Sequence, residues 1–126
     1  MSSISNPGLA YAERTENRLW LVQRMSAIVL AVAVCVHLAT VIVAVQGGLS
    51  AAEIVSRVGG SLGWALFYGV FVVAVGLHAP IGLRTILREM TPLSPGATNG
   101  LMVAFAVVLL GFGFRVVFAF YGMAGG

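Results

Sequence analysis

Charged residues are so sparse along this chain that their positions divide it into long apolar runs. The stretch from Met25 to Glu53 meets a charge only at its end, Val58 to Leu83 has none, and Met90 to Phe114 has none. A helix rising 1.5 Å per residue needs about 20 apolar residues to cross about 30 Å of hydrocarbon. The pattern therefore predicts membrane spans at roughly 20–46, 61–87 and 99–122. None of these runs shows the strict alternation of a barrel strand. The fold class expected is an all-α membrane protein: three transmembrane helices, with a short amphipathic helix in the first, outer loop.

The segments between the runs have their own signals. Residues 1–18 are polar and contain no short apolar core ending in a small-residue cleavage site, so they are read as a cytoplasmic N-terminal arm, not a signal peptide. The anchor domain then covers 19–122. Between the first two spans, Ser50-Ala51-Ala52-Glu53 has the capping-box pattern, and Ile54, Val55 and Val58 follow it. A short surface helix is expected there. Between the second and third spans, Thr91-Pro92-Leu93-Ser94-Pro95-Gly96 predicts a turn-rich loop.

Composition agrees with this division and narrows it. Of 126 residues, 60% are hydrophobic and 9% charged, where a soluble domain carries about a quarter charged. The charged set is seven Arg and four Glu, with no Lys and no Asp. This excludes an ordinary soluble domain, a disordered tail and a coiled coil. The net charge of +3 forms no basic cluster that would grip nucleic acid. The single Cys, Cys35, lies inside a span, so neither a disulfide framework nor a zinc site is available. Arg14, Arg18 and Arg24 precede span one, Arg84 and Arg88 close span two, and the loop between has only Arg57. The positive-inside rule then puts the N-terminus and the second loop in the cytoplasm. The expected location is a bacterial-type inner (cytoplasmic) membrane, crossed several times.

Polar side chains inside a span are costly, and each raises a functional question. His78 has the most informative surroundings. Ala74, Gly82 and Thr85 share its helix face, Phe67 and Phe71 extend that face with aromatic surface, and Pro80 removes a backbone donor beside it. Small residues one turn either side leave a slot for a flat macrocycle, which suits an axial haem ligand. Arg84 is placed to pair with a propionate near the membrane surface. The competing reading is a histidine hydrogen-bonded to a neighbouring helix, with glycines for close packing.

His37 invites the idea that both histidines clamp one iron. If Arg24 and Arg84 mark one interface, helix rise puts His37 ~19 Å deep and His78 ~9 Å deep. An offset of ~10 Å is too large for two ligands of one porphyrin. His37, on the face of Ser26 and near Thr40, is instead expected to make a structural hydrogen bond. Arg115, near the outer end of span three, is expected to snorkel to water. Gly111, Gly113, Gly59 and Gly60 are read as packing or turn glycines. No nucleophile–base pair, metalloprotease motif or paired carboxylate occurs, so the chain carries no self-contained active site.

Two stretches together resemble the cytochrome b membrane-anchor subunits of succinate dehydrogenases and fumarate reductases. That family's first span opens Ser-Ile-x-His-Arg-x-(Ser/Thr)-Gly, and here Val22-Gln23-Arg24-Met25-Ser26-Ala27 stands in that place. Its second span ends His-x-x-x-Gly-(Ile/Leu)-Arg-His-x-x-x-Asp, and here the run is His78-Ala79-Pro80-Ile81-Gly82-Leu83-Arg84-Thr85-Ile86-Leu87-Arg88-Glu89. His, Gly and Arg are in register in the second motif. The first departs at Trp20, Gln23 and Ala27, and the second at Thr85. The resemblance implies that His78 is an axial ligand of haem b, with Arg84 as its electrostatic neighbour and Gly82 beside it. It also implies a ubiquinone or menaquinone site bordered by Arg24 and Ser26, and the positions of Trp20 and Gln23 suit the same quinone head. The partners implied are a flavoprotein subunit, an iron–sulfur subunit, and a second small three-span anchor or a second copy of this chain. Some members of the wider family lack haem. The alternative is therefore a haem-free structural or transport-type small membrane subunit.

Overall fold

The computed structural model describes residues 6–123. The first five residues of the expected arm lie outside them. Four helices follow in order: α1 (Pro7–Gln46), α2 (Ala51–Val58), α3 (Leu62–Met90) and α4 (Pro95–Met123). Three of them, α1, α3 and α4, are long and apolar enough to cross a membrane.

Helix α1 begins 13 residues before the first expected span. Asn6 caps it by accepting from the Gly8 N–H at 2.9 Å, and Pro7 opens its first turn with no donor to leave unpaired. At 40 residues it is ~60 Å long, about twice the hydrocarbon thickness. The polar arm from Pro7 onward is thus a helical extension of the span. Apolar periodicity could not reveal it, because that signal stops where the lipid stops.

The short second helix has the predicted capping box. The Glu53 N–H donates to Ser50 Oγ, and the Ser50 N–H donates to Glu53 Oε2, both at 3.2 Å. Gly60, at φ +73°, makes the turn into α3 in a conformation that a side chain would strain.

Helix α3 runs unbroken through Pro80, which is fully buried, and ends at Met90. The expected loop 91–96 is shorter than predicted. Only Thr91–Ser94 are non-helical, because Pro95 and Gly96 already lie in the first turn of α4. Proline is well placed there and the breaker signal alone could not say on which side of the boundary it falls.

Helix α3 packs against both other spans, whereas α1 and α4 barely meet. Its contacts with α4 are close. A Cβ on Gly113 would stand 2.5 Å from Val72 Cγ1, and one on Gly76 would collide with the Leu110 side chain. Close backbone approach of this kind holds apolar helices together in lipid, where no hydrophobic force separates them from the solvent. The packing role expected for Gly113 holds. Gly111 has open space where its Cβ would be and packs on nothing in this chain.

Candidate functional site

At the N-terminal end of α1, a set of polar side chains ties the three long helices. Arg84 of α3 grips Glu16 of α1 with two N–H groups, at 2.7 and 3.4 Å, and donates its Nε–H to Asn99 Oδ1 of α4 at 2.9 Å. Arg88 adds a further bond to Glu16 at 2.9 Å. These guanidinium groups hold the Glu16 carboxyl below its ordinary value of 4.5, Arg84 being the larger cause. Only the Arg84 side chain is well shielded, at 11% exposure, so the pairs orient the helix ends more than they stabilise them. Neither Glu16 nor Asn99 was marked by the sequence. Their partners lie 68 and 15 residues away, and nothing in a linear pattern joins them.

Further along, α1 meets α3 at three levels. The Gln23 amide lies over Gly82, where a Cβ would stand 3.5 Å from Nε2. Ser26 Oγ lies 3.4 Å from His78 Nδ1, and His37 Nδ1 lies 3.0 Å from the Tyr68 hydroxyl. This register corrects the depth argument. It sets Arg24 level with Ile81, about one turn (~5 Å) deeper than Arg84, so the two arginines do not mark one interface. His37 and His78 are then separated by the ten residues from Tyr68 to His78, or ~15 Å, a larger offset than the ~10 Å expected. The rings do not face one another.

The His78 ring has a defined arrangement. The buried Ser26 hydroxyl donates to the Gln23 carbonyl at 3.0 Å, which leaves its oxygen to accept. In the tautomer that donates through Nδ1, Nε2 keeps its lone pair, and it has no hydrogen-bond partner among the described residues. A histidine oriented through one nitrogen with the other free is the arrangement metal-ligating imidazoles use. In this respect the chain's residues fit an axial ligand. Ala74 is buried beside it at 5% exposure. The aromatic part of the expected slot is elsewhere: Phe71 stands edge-on to His37 at 6.1 Å, and Phe67 packs on Trp64 and Tyr68. Helical spacing put these residues on one face with His78 but separated them from it along the axis, and the axial distance decides what they touch.

The four candidate quinone residues divide between two faces of α1. Gln23 and Ser26 point at α3, and Gln23 Oε1 is buried with no partner. Trp20 and Arg24 lie on exposed surface, the guanidinium carbon 5.4 Å from the indole centroid. The structure brings Gln23, Ser26, His78 and Gly82 together and leaves Trp20 and Arg24 facing outward beside them. For His37, the expected structural hydrogen bond exists, but its partner is Tyr68. The Thr40 hydroxyl instead donates to the His37 carbonyl at 2.7 Å. Arg115 is exposed on α4 without an ion pair among the described residues. No cluster of three or more His, Cys, Asp or Glu occurs among the described residues.

Two cavities flank α3. One, of about 850 Å³, runs along α3 from Ser26 and Ala74 to Phe118 and is almost wholly apolar. The other, of about 930 Å³, lies under α2 at the opposite end of the bundle from Arg84.

No curated protein and no solved structure matches the chain. A family model does, over residues 4–119, and it takes in all three spans together with both stretches on which the Gln23–Ser26–His78–Gly82 cluster is built. With nearly the whole chain matched, the protein belongs to the succinate dehydrogenase/fumarate reductase transmembrane subunit family.

Proposed function

We propose that this transmembrane subunit holds the flavoprotein and iron–sulfur subunits of its complex at the membrane and binds quinone beside the N-terminal half of α1. The observation that carries the reading is the buried, unpartnered Gln23 Oε1 next to Ser26 and His78. A buried acceptor without a donor costs about 1–3 kcal/mol, and a ligand hydroxyl removes that cost. A quinol offers such a hydroxyl, and the amide's other end can donate to a quinone carbonyl. One side chain thus serves both redox forms of the head group. Arg24, on the neighbouring face, supplies a positive charge against the carbonyl oxygen, and Trp20 holds that guanidinium in place.

Haem b, when bound, supplies one-electron chemistry between the iron–sulfur partner and quinone. His78 would hold it through Nε2, with Ser26 fixing the ring. Arg84 would act on a propionate only as an electrostatic neighbour, since Glu16 and Asn99 engage its N–H groups. Any further protein ligand to the haem would come from another chain, because His37 is paired with Tyr68 about ten residues from the level of His78. A second three-span anchor or a second copy would provide it. One observation favours the haem-free alternative: Gln23 occupies the space over Gly82 that a macrocycle would take.

Arg24→Ala tests the quinone site. Loss of a charge-assisted hydrogen bond predicts about a tenfold or greater slowing of quinone reduction, with assembly and haem content intact. Unchanged kinetics in assembled complex would remove Arg24 from the site.

The orientation is tested separately. A reporter active only outside the cytoplasm should work at the C-terminus and stay silent after Glu89. The reverse result would put the cluster on the face away from the cytoplasm.

A further inference from the structure

The cavity under α2 carries chemistry that the quinone reading does not use. It is enclosed by the α2-side halves of α1, α3 and α4 and roofed by Ile54, Arg57 and Val58 of α2. Its volume of about 930 Å³ is mostly lined by apolar side chains. Two of its polar groups satisfy each other, since His37 Nδ1 and the Tyr68 hydroxyl are hydrogen-bonded. A third, the Thr40 hydroxyl, is tied to the His37 carbonyl. Arg57 is the one charged residue in the lining, and it has no acidic partner among the described residues. The carboxylate nearest in sequence, Glu53, is engaged by the Ser50 backbone N–H in the capping box. Because α1 and α4 barely meet, the cavity is least closed between those two helices.

An apolar cavity with one unpaired cation at its membrane-surface rim matches a molecule with an anionic head and a hydrocarbon chain. We propose that this cavity holds an anionic phospholipid drawn from the leaflet on the α2 side, its phosphate on Arg57 and an acyl chain between α1 and α4. An arginine at a membrane surface is worth about fivefold in preference for an anionic head over a zwitterionic one. The site lies at the opposite end of the spans from Arg84 and does not depend on the quinone or haem readings.

The experiment uses the purified, assembled protein in vesicles that carry a trace of photoactivatable phosphatidylglycerol or, in parallel, phosphatidylcholine, with the diazirine on the acyl chain. Peptide mapping then locates the label. Phosphatidylglycerol is expected to label half-buried cavity residues such as Ala44 and Val72 about fivefold more than phosphatidylcholine at equal mole fraction. Labelling at the exposed Val107 and Val108 should show no such preference. Arg57→Gln should abolish the preference at the cavity alone. Ala44→Phe, which narrows the cavity and leaves Arg57 in place, should lower cavity labelling by both lipids. Equal labelling by the two lipids in the wild type, or a preference that survives Arg57→Gln, would overturn the proposal. So would a cavity that neither lipid labels, which would mean that a protein segment fills it.

Discussion

His78→Ala is expected to abolish or strongly shift the b-type absorbance of the dithionite-reduced complex, while His37→Ala leaves it near normal. The two histidines differ in what their nitrogens are doing. His78 Nδ1 pairs with the Ser26 hydroxyl, and its Nε2 has no hydrogen-bond partner among the described residues. His37 shares a hydrogen bond with Tyr68 about ten residues further along α3, at the level of the other cavity. If His78 holds the haem, its removal would weaken cofactor binding directly, so the spectrum should respond before folding does. Ser26→Ala supplies the intermediate case. It keeps the ligand and removes the group that orients it, and lost outer-shell partners of metal ligands typically cost about 10–100-fold in affinity. A weakened, broadened band is expected. Equal loss from His78→Ala and His37→Ala, with both proteins inserted, would contradict the register of α1 on α3. Normal spectra in both would place the ligands on partner chains. A wild type without the band would leave the anchor and quinone reading standing without haem.

The spans, the capping box and the family were legible because each is local or periodic. Helical hydropathy repeats along one element, Ser50 and Glu53 are three residues apart, and His78, Gly82 and Arg84 fall within seven. What was not legible is the axial register between helices. It depends on where helix ends fall relative to the lipid, and α1 begins 13 residues before its apolar run. That is why Arg24 and Arg84 were assigned one level, and why Phe67 and Phe71 were grouped with His78. It is also why Glu16, Asn99 and Tyr68 went unmarked: each matters only through a partner on another helix. Family membership, which the match over residues 4–119 shows, names the kind of complex but does not supply these contacts.

The same register predicts a sharp difference between two glycines of one helix. Gly113 faces α3, where an added Cβ would stand 2.5, 3.0 and 3.3 Å from three carbons of Val72, a side chain too short and stiff at χ1 to withdraw. Gly113→Leu must therefore push α4 away from α3, and overpacking of this kind typically costs about 1–3 kcal/mol. The neighbouring contact of Gly76 with Leu110 depends on the same spacing, so the loss should spread along the interface. A lower unfolding midpoint in mild detergent, with membrane insertion unchanged, is the expected result. Gly111→Leu is the matched control, because nothing lies within 4 Å of the Cβ it would add. In the chain purified alone it should leave the midpoint where it was. If Gly111→Leu also leaves the assembled complex unchanged, that side of α4 faces lipid. If it destabilises only the complex, a partner subunit packs against α4 there. Equal destabilisation of the isolated chain by both substitutions would mean that α4 is rotated from the orientation in which Gly113 meets Val72.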